Sequence, residues 1–221
     1  MTAVLYAVPV SNFCATVRLI LRIKGVAFAE RHPPGGYGSA AYKAIVATGT
    51  VPGFVDGDLV LSESAVIAEY LDERVVEPPL VPRHDPAARA RVRWLLRLHD
   101  TRIEPPLRAL FAQMTPARRN EAVVAAEWAK LATRLGDLAR IRGAAPFLAG
   151  GEPTLADYGY PATLLLGERM AAVLDRELPL PAALADWWQR LRTREAVAGV
   201  LAEYGPAVDA WLVAKGAREA T

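Results

Sequence analysis

Apolar positions change their period twice along this chain. Residues 3–8, AVLYAV, form a short apolar run rich in β-formers, and Pro9 ends it. Phe13, Val17, Ile20, Leu21 and Lys24 then recur at helical spacing, with Gly25 as a stop, which predicts a helix. Residues 26–32 read as a second strand, 33–38 (PPGGYG) as a loop and 40–47 as a short helix. Residues 53–61 place two apolar runs around Asp56-Gly57, a hairpin signal. Residues 62–75 return to helical spacing through Val66–Tyr70 and Ile67–Leu71. The order β-α-β-α-β-β-α needs a sheet with both parallel and antiparallel pairs, flanked by helices.

The strand pattern then stops. Residues 77–86, EPPLVPRHDP, hold four prolines in ten positions and read as a linker. Asp85-Pro86 is a cap followed by proline at the first helical position, and the helix it opens meets a break at Glu104-Pro105-Pro106. Thr115-Pro116 repeats the device and predicts a helix reaching Arg142-Gly143. Thr154-Leu155-Ala156-Asp157 resembles a capping box and opens a helix to about Leu174, with Pro161 as a kink. Residues 184–197 read as one more amphipathic helix. The expected organisation is residues 1–77 as a mixed α/β domain, 78–85 as a linker and 86–221 as an all-helical domain.

Charge narrows the function. The 26 Lys and Arg are scattered among 24 Asp and Glu, with no basic tract that announces nucleic acid. One cysteine excludes an internal disulfide, and three histidines are too few for a cysteine–histidine zinc site, so no metal is expected. The N-terminus lacks the basic region and cleavage site of a signal peptide. The longest apolar runs are interrupted by Arg, Glu or Pro before reaching the roughly 18 residues of a membrane span. The expectation is a cytoplasmic protein in a reducing compartment.

Five stretches in this order resemble the cytosolic glutathione transferases. They are Ser11 with Val17-Arg18, Val51-Pro52, Glu63-Ser64, Thr154-Leu155-Ala156-Asp157, and LPAALADWWQRLRTREAV at residues 180–197. The resemblance covers essentially the whole chain and implies a thioredoxin-like βαβαββα domain followed by an all-helical domain. Among classes it is nearest to the serine types, zeta and tau. The zeta pattern Ser-Ser-Cys-Ser-x-Arg-Val-Arg stands here as Ser-Asn-Phe-Cys-Ala-Thr-Val-Arg, without the second serine and with the cysteine one place late.

The resemblance implies glutathione as co-substrate, a small hydrophobic electrophile as partner substrate, and a homodimer. Glutathione carries two carboxylates, an ammonium and a thiol, and each needs a partner. Ser64, at a helix start, meets the γ-glutamyl carboxylate where backbone N–H groups are unpaired, and Glu63 helps hold that end. Val51 pairs with the cysteinyl backbone beside a cis Pro52, in the manner of an added strand. Thr50, and more weakly Lys43, meet the glycyl carboxylate.

The sulfur needs an activator, because a free thiol has a pKa near 8.5 and is mostly protonated at neutral pH. Ser11 is the candidate, as a hydrogen-bond donor to the thiolate rather than a base; Tyr6 ranks second. Cys14 offers a rival chemistry, a thiol transferase acting through a mixed disulfide. A zeta-like isomerase or dehalogenase and a non-catalytic binding protein stay open beside these. Val8, Pro9, Leu107, Phe111 and Tyr160 are candidate lining of the electrophile pocket. Arg102 and Arg108 are candidate attractors of an anionic substrate, and Asp157 is a structural cap.

Overall fold

The computed structural model describes residues 2–217. Four strands form one sheet: β1 (Ala3–Tyr6), β2 (Phe28–Arg31), β3 (Gly53–Asp56) and β4 (Leu59–Ser62), in the order β2-β1-β3-β4. β1 runs parallel to β2 and antiparallel to β3, and β3 pairs antiparallel with β4. Three helices complete this half: α1 (Asn12–Ile23), α2 (Ala40–Lys43) and α3 (Ser64–Arg74). The element order is the βαβαββα that the pattern predicted, and the unit is thioredoxin-like, as the resemblance implied.

Register and close approach explain its details. Asp56 pairs with Leu59, so the two-residue turn is Gly57-Asp58, one place later than the sequence signal. Gly57 takes φ +61°, which a glycine adopts without strain. The freed Asp56 carboxylate accepts from Tyr70 at 2.7 Å and pairs with Arg74 at 3.0 Å, tying the hairpin to α3. Gly53 is obligatory for a different reason: a Cβ there would lie 2.3 Å from the Tyr42 hydroxyl. That closeness lets α2 sit on the sheet, where Tyr6, Tyr42 and Val46 form a small second core.

The second half is helical. It comprises α4 (Pro86–Leu98), α5 (Glu104–Ala109), α6 (Glu121–Arg142), α7 (Leu155–Tyr158), α8 (Pro161–Val173), α9 (Ala182–Arg192) and α10 (Glu195–Ala214). One continuous core runs from Leu5 and Ile20 to Trp187 and Leu212. α1 is the keystone of that core, packed on α3 on one side and on α8 and α10 on the other.

Four expectations change here. The break at Glu104 is a π-helical turn, His99–Ile103, that leads straight into α5. Pro105 and Pro106 fall in α5's first turn, where their missing N–H groups cost little. Thr115-Pro116 opens only a short 3₁₀ turn, and Asn120 caps α6 by accepting from Ala122 and Val123. Pro161 begins a new helix instead of kinking one, and the stretch after residue 154 is split into α7 and α8. Finally, α10 runs through Pro206 and is long and apolar enough, by length and composition, to cross a membrane. In this fold α10 packs against α1 and α8.

Candidate functional site

Four segments converge beside the first helix. The first is the turn into α1. Ser11 is in extended backbone and caps the helix, its Oγ accepting from the Cys14 N–H at 3.2 Å. That bond uses a lone pair and leaves the hydroxyl a donor, whose partner within the chain is the Cys14 thiol. The second segment is the loop before β3. The Val51-Pro52 bond is cis, as is Glu77-Pro78. Tyr42, fully buried, donates from its hydroxyl to the Thr50 carbonyl at 2.9 Å and so fixes this loop from beneath. Burial and nearby groups push the Tyr42 phenol up to about 12, so it stays protonated as a donor.

The third segment is the start of α3. Glu63 has φ 70° and ψ 111°, a conformation that non-glycine residues rarely adopt. Such strain gathers at functional sites. Ser64 is the first helical residue and is buried, and no side chain caps the helix. Its leading N–H groups are therefore available to an anion, with about half a positive charge behind them. The fourth segment is the stretch from the end of α4 through the π turn into α5. Arg97, Asp100, Thr101, Glu104 and Arg108 present one charged face.

These segments enclose a cavity of about 370 Å³ lined by Phe13, Thr50, Val51, Pro52, Glu63, Ser64 and that charged face. Thr50, Val51, Pro52, Glu63 and Ser64 all line this one space; Lys43, the weaker candidate for the glycyl carboxylate, does not. Ser11 does not; Phe13, two residues on, does. The Arg108 guanidinium lies between the Phe13 and Phe111 rings, 5.6 and 5.2 Å from their centroids, and pairs with buried Glu104. Arg97, Asp100, Thr101 and Glu104 stand at i, i+3, i+4 and i+7, a helical spacing that is the one signal the sequence carries for them.

Other candidates fall elsewhere. Cys14 is fully buried, and burial pushes its thiol up despite the Ser11 hydroxyl and Arg18. It is core. Tyr160 and Leu107 are core as well, Pro9 lies against a different hollow, and Lys43 packs over Gly49 on the surface. Arg102 opens into a separate groove with Trp94 and Arg134. Asp157 is the structural hub that was expected: its carboxylate accepts from Leu148 N, Thr154 N and Trp187 Nε1, each at 2.8 Å. No group of three or more His, Cys, Asp or Glu among the described residues is placed to hold a metal ion.

The profile of a family described as "Glutathione S-transferase, N-terminal domain" matches residues 5–79. A glutathione S-transferase of Pseudomonas putida is 32% identical over 154 residues, 69% of each chain. The chain belongs to the glutathione S-transferase family. A stringent starvation protein A homolog of Coxiella burnetii is 41% identical over 92 residues, 42% of this transferase-family chain and 44% of that protein. The chain thus spans less than half the length of that relative. Among solved structures, glutathione S-transferase-I bound with lactoylglutathione superimposes with a TM-score of 0.78 at 23% identity. It covers 92% of this chain and 100% of that one, a likeness of fold.

Proposed function

We propose that this protein binds glutathione in the cavity beside α1 and holds its sulfur as thiolate, through Ser11, for attack on an electrophile. The observation that carries the reading is the convergence of Thr50, Val51, Pro52, Glu63 and Ser64 on one cavity at the uncapped start of α3. The γ-glutamyl carboxylate sits at that helix start, the cysteinyl backbone runs along Val51, and the glycyl end reaches Thr50. Ser11, at a helix N-terminus that adds positive potential, turns its hydroxyl from the Cys14 thiol to donate to the sulfur. Lowering the thiol pKa by ~1.5 units needs roughly 2 kcal/mol, within reach of one charge-assisted hydrogen bond. Residues 1–77 hold the tripeptide, and residues 86–221 supply the electrophile wall. The chain works in the cytoplasm, in keeping with its single cysteine.

The reading includes a homodimer. β4 is an edge strand, and Leu59 and Val60 are exposed on it. Val66 and Trp94 are 49% and 50% exposed on α3 and α4. Beside Trp94 lies a groove of about 680 Å³ carrying Arg97, Arg102, Arg134 and Arg140. In this reading a second copy offers its apolar edge and the Glu69 and Glu73 carboxylates of α3 to the groove arginines.

A second reading is favoured by one fact: Phe13, and not Ser11, lines the cavity. The protein then binds glutathione without turning it over. Calorimetry with glutathione, followed by turnover of an aryl halide and an enal, separates the two. Binding with turnover supports the transferase; binding alone supports the second reading; absence of binding refutes both.

A further inference from the structure

Residues 10–12 are gripped by the helical half from two sides. Tyr204 on α10 donates from its hydroxyl to the Val10 carbonyl at 3.3 Å. The Asn12 amide donates to Thr163 Oγ1 on α8 at 2.9 Å. Thr163 Oγ1 lies 2.8 Å from His99 Nε2, and His99 Nδ1 lies 2.8 Å from Asp100 Oδ1. Asn12, Thr163 and His99 are 2%, 1% and 1% exposed, so water does not compete for these bonds. Asp100 ends the chain at the cavity wall.

For a neutral imidazole the chain has one direction. An ionised Asp100 only accepts, so a neutral imidazole carries its proton on Nδ1. Nε2 is then an acceptor for the single Thr163 hydroxyl proton, and that oxygen accepts in turn from Asn12. The three contacts join four side chains from α1, α8 and the π turn. Such a chain is rigid because losing any link leaves a buried group unpaired. Edge contacts of Phe13 and Tyr160 on the imidazole, with centroids at 6.0 and 4.9 Å, hold the ring plane as well.

We propose that His99 and Thr163 are positioning residues that fix the Ser11 hydroxyl relative to the cavity wall carrying Asp100. Ser11 stands between two residues, Val10 and Asn12, that are both anchored to the helical half. The helical half thus sets the aim of a group belonging to the other half. This inference rests on the Ser11 reading above.

The test titrates the thiolate absorbance of the glutathione complex in four variants. Thr163→Val is expected to raise the bound thiol's pKa by about one unit, about fivefold less thiolate at pH 7, with glutathione affinity within about threefold. Thr163→Ser, which keeps the hydroxyl, restores the parent value. Asn120→Ala removes a remote helix cap, lowers the melting temperature and leaves the thiol unmoved. Ser11→Ala abolishes the shift altogether. If Ser11→Ala abolishes the thiolate band but Thr163→Val leaves it in place, the chain is scaffold only and the proposal is overturned. A Thr163→Ser complex that behaves like Thr163→Val overturns it too. If Ser11→Ala itself leaves the band unchanged, the Ser11 reading fails and this proposal falls with it.

Discussion

Ser11 carries two duties on one oxygen. It closes α1 by accepting from Cys14, and in the proposed function it donates to the ligand sulfur. The duties separate by substitution. Ser11→Asn keeps a capping oxygen without the hydroxyl, whereas Ser11→Ala loses both. Urea unfolding is expected to show Ser11→Ala about 1 kcal/mol less stable and Ser11→Asn close to the parent. Cys14, three residues on, is closed to chemistry by burial. Its thiol is pushed up, so thiolate forms only above the usual cysteine range. An alkylating reagent is expected to leave Cys14 unmodified in the folded protein at pH 8 and to modify it fully in denaturant. Cys14→Ala is expected to leave turnover within about twofold. Residue-level legibility followed chemistry. Val51, Glu63 and Ser64 were readable because they stand in short motifs that resemble the family's, and the ligand's chemistry then suggested a role for each. Asn12, His99 and Thr163 were not, because their partners lie 64 and 151 positions apart in the chain.

At the level of elements, the first half was legible almost throughout, because strand and helix periods alternate there within short, well-punctuated segments. The second half was harder. Pro105 and Pro106 read as a break and Pro161 as a kink, yet the structure puts all three in first turns, and α10 runs through Pro206. A proline's cost depends on whether its missing N–H had a partner to lose, which only the helix register decides. The linker was legible by composition, but not what fastens it. Lys24 Nζ, fully buried, lies 2.5 Å from Asp72 Oδ1 and donates to the Val75 carbonyl at 2.8 Å. Leu80 N donates to the same carboxylate oxygen at 2.7 Å. Lys24→Met strands a buried charge and is expected to destabilise by about 3–5 kcal/mol. Lys24→Met with Asp72→Leu, measured in the same denaturation series, is expected to recover much of that loss.

For the molecule as a whole, the site and the proposed dimer face share α4 and its π turn. Arg97 and Thr101 line both the cavity and the basic groove. Replacing Val66 and Trp94 together by Lys is expected to turn a dimer into a monomer by sedimentation; an unchanged mass would place the interface elsewhere. The strong Arg character of the groove predicts that dissociation rises with salt. Family membership follows from a relative matched over two thirds of both chains, and activity is what remains to be measured. The most direct measurement is the ultraviolet difference spectrum of bound glutathione against pH. The account predicts a thiolate band at neutral pH that Ser11→Ala removes while the tripeptide still binds. A parent complex without that band, or a Ser11→Ala complex that keeps it in full, would contradict it.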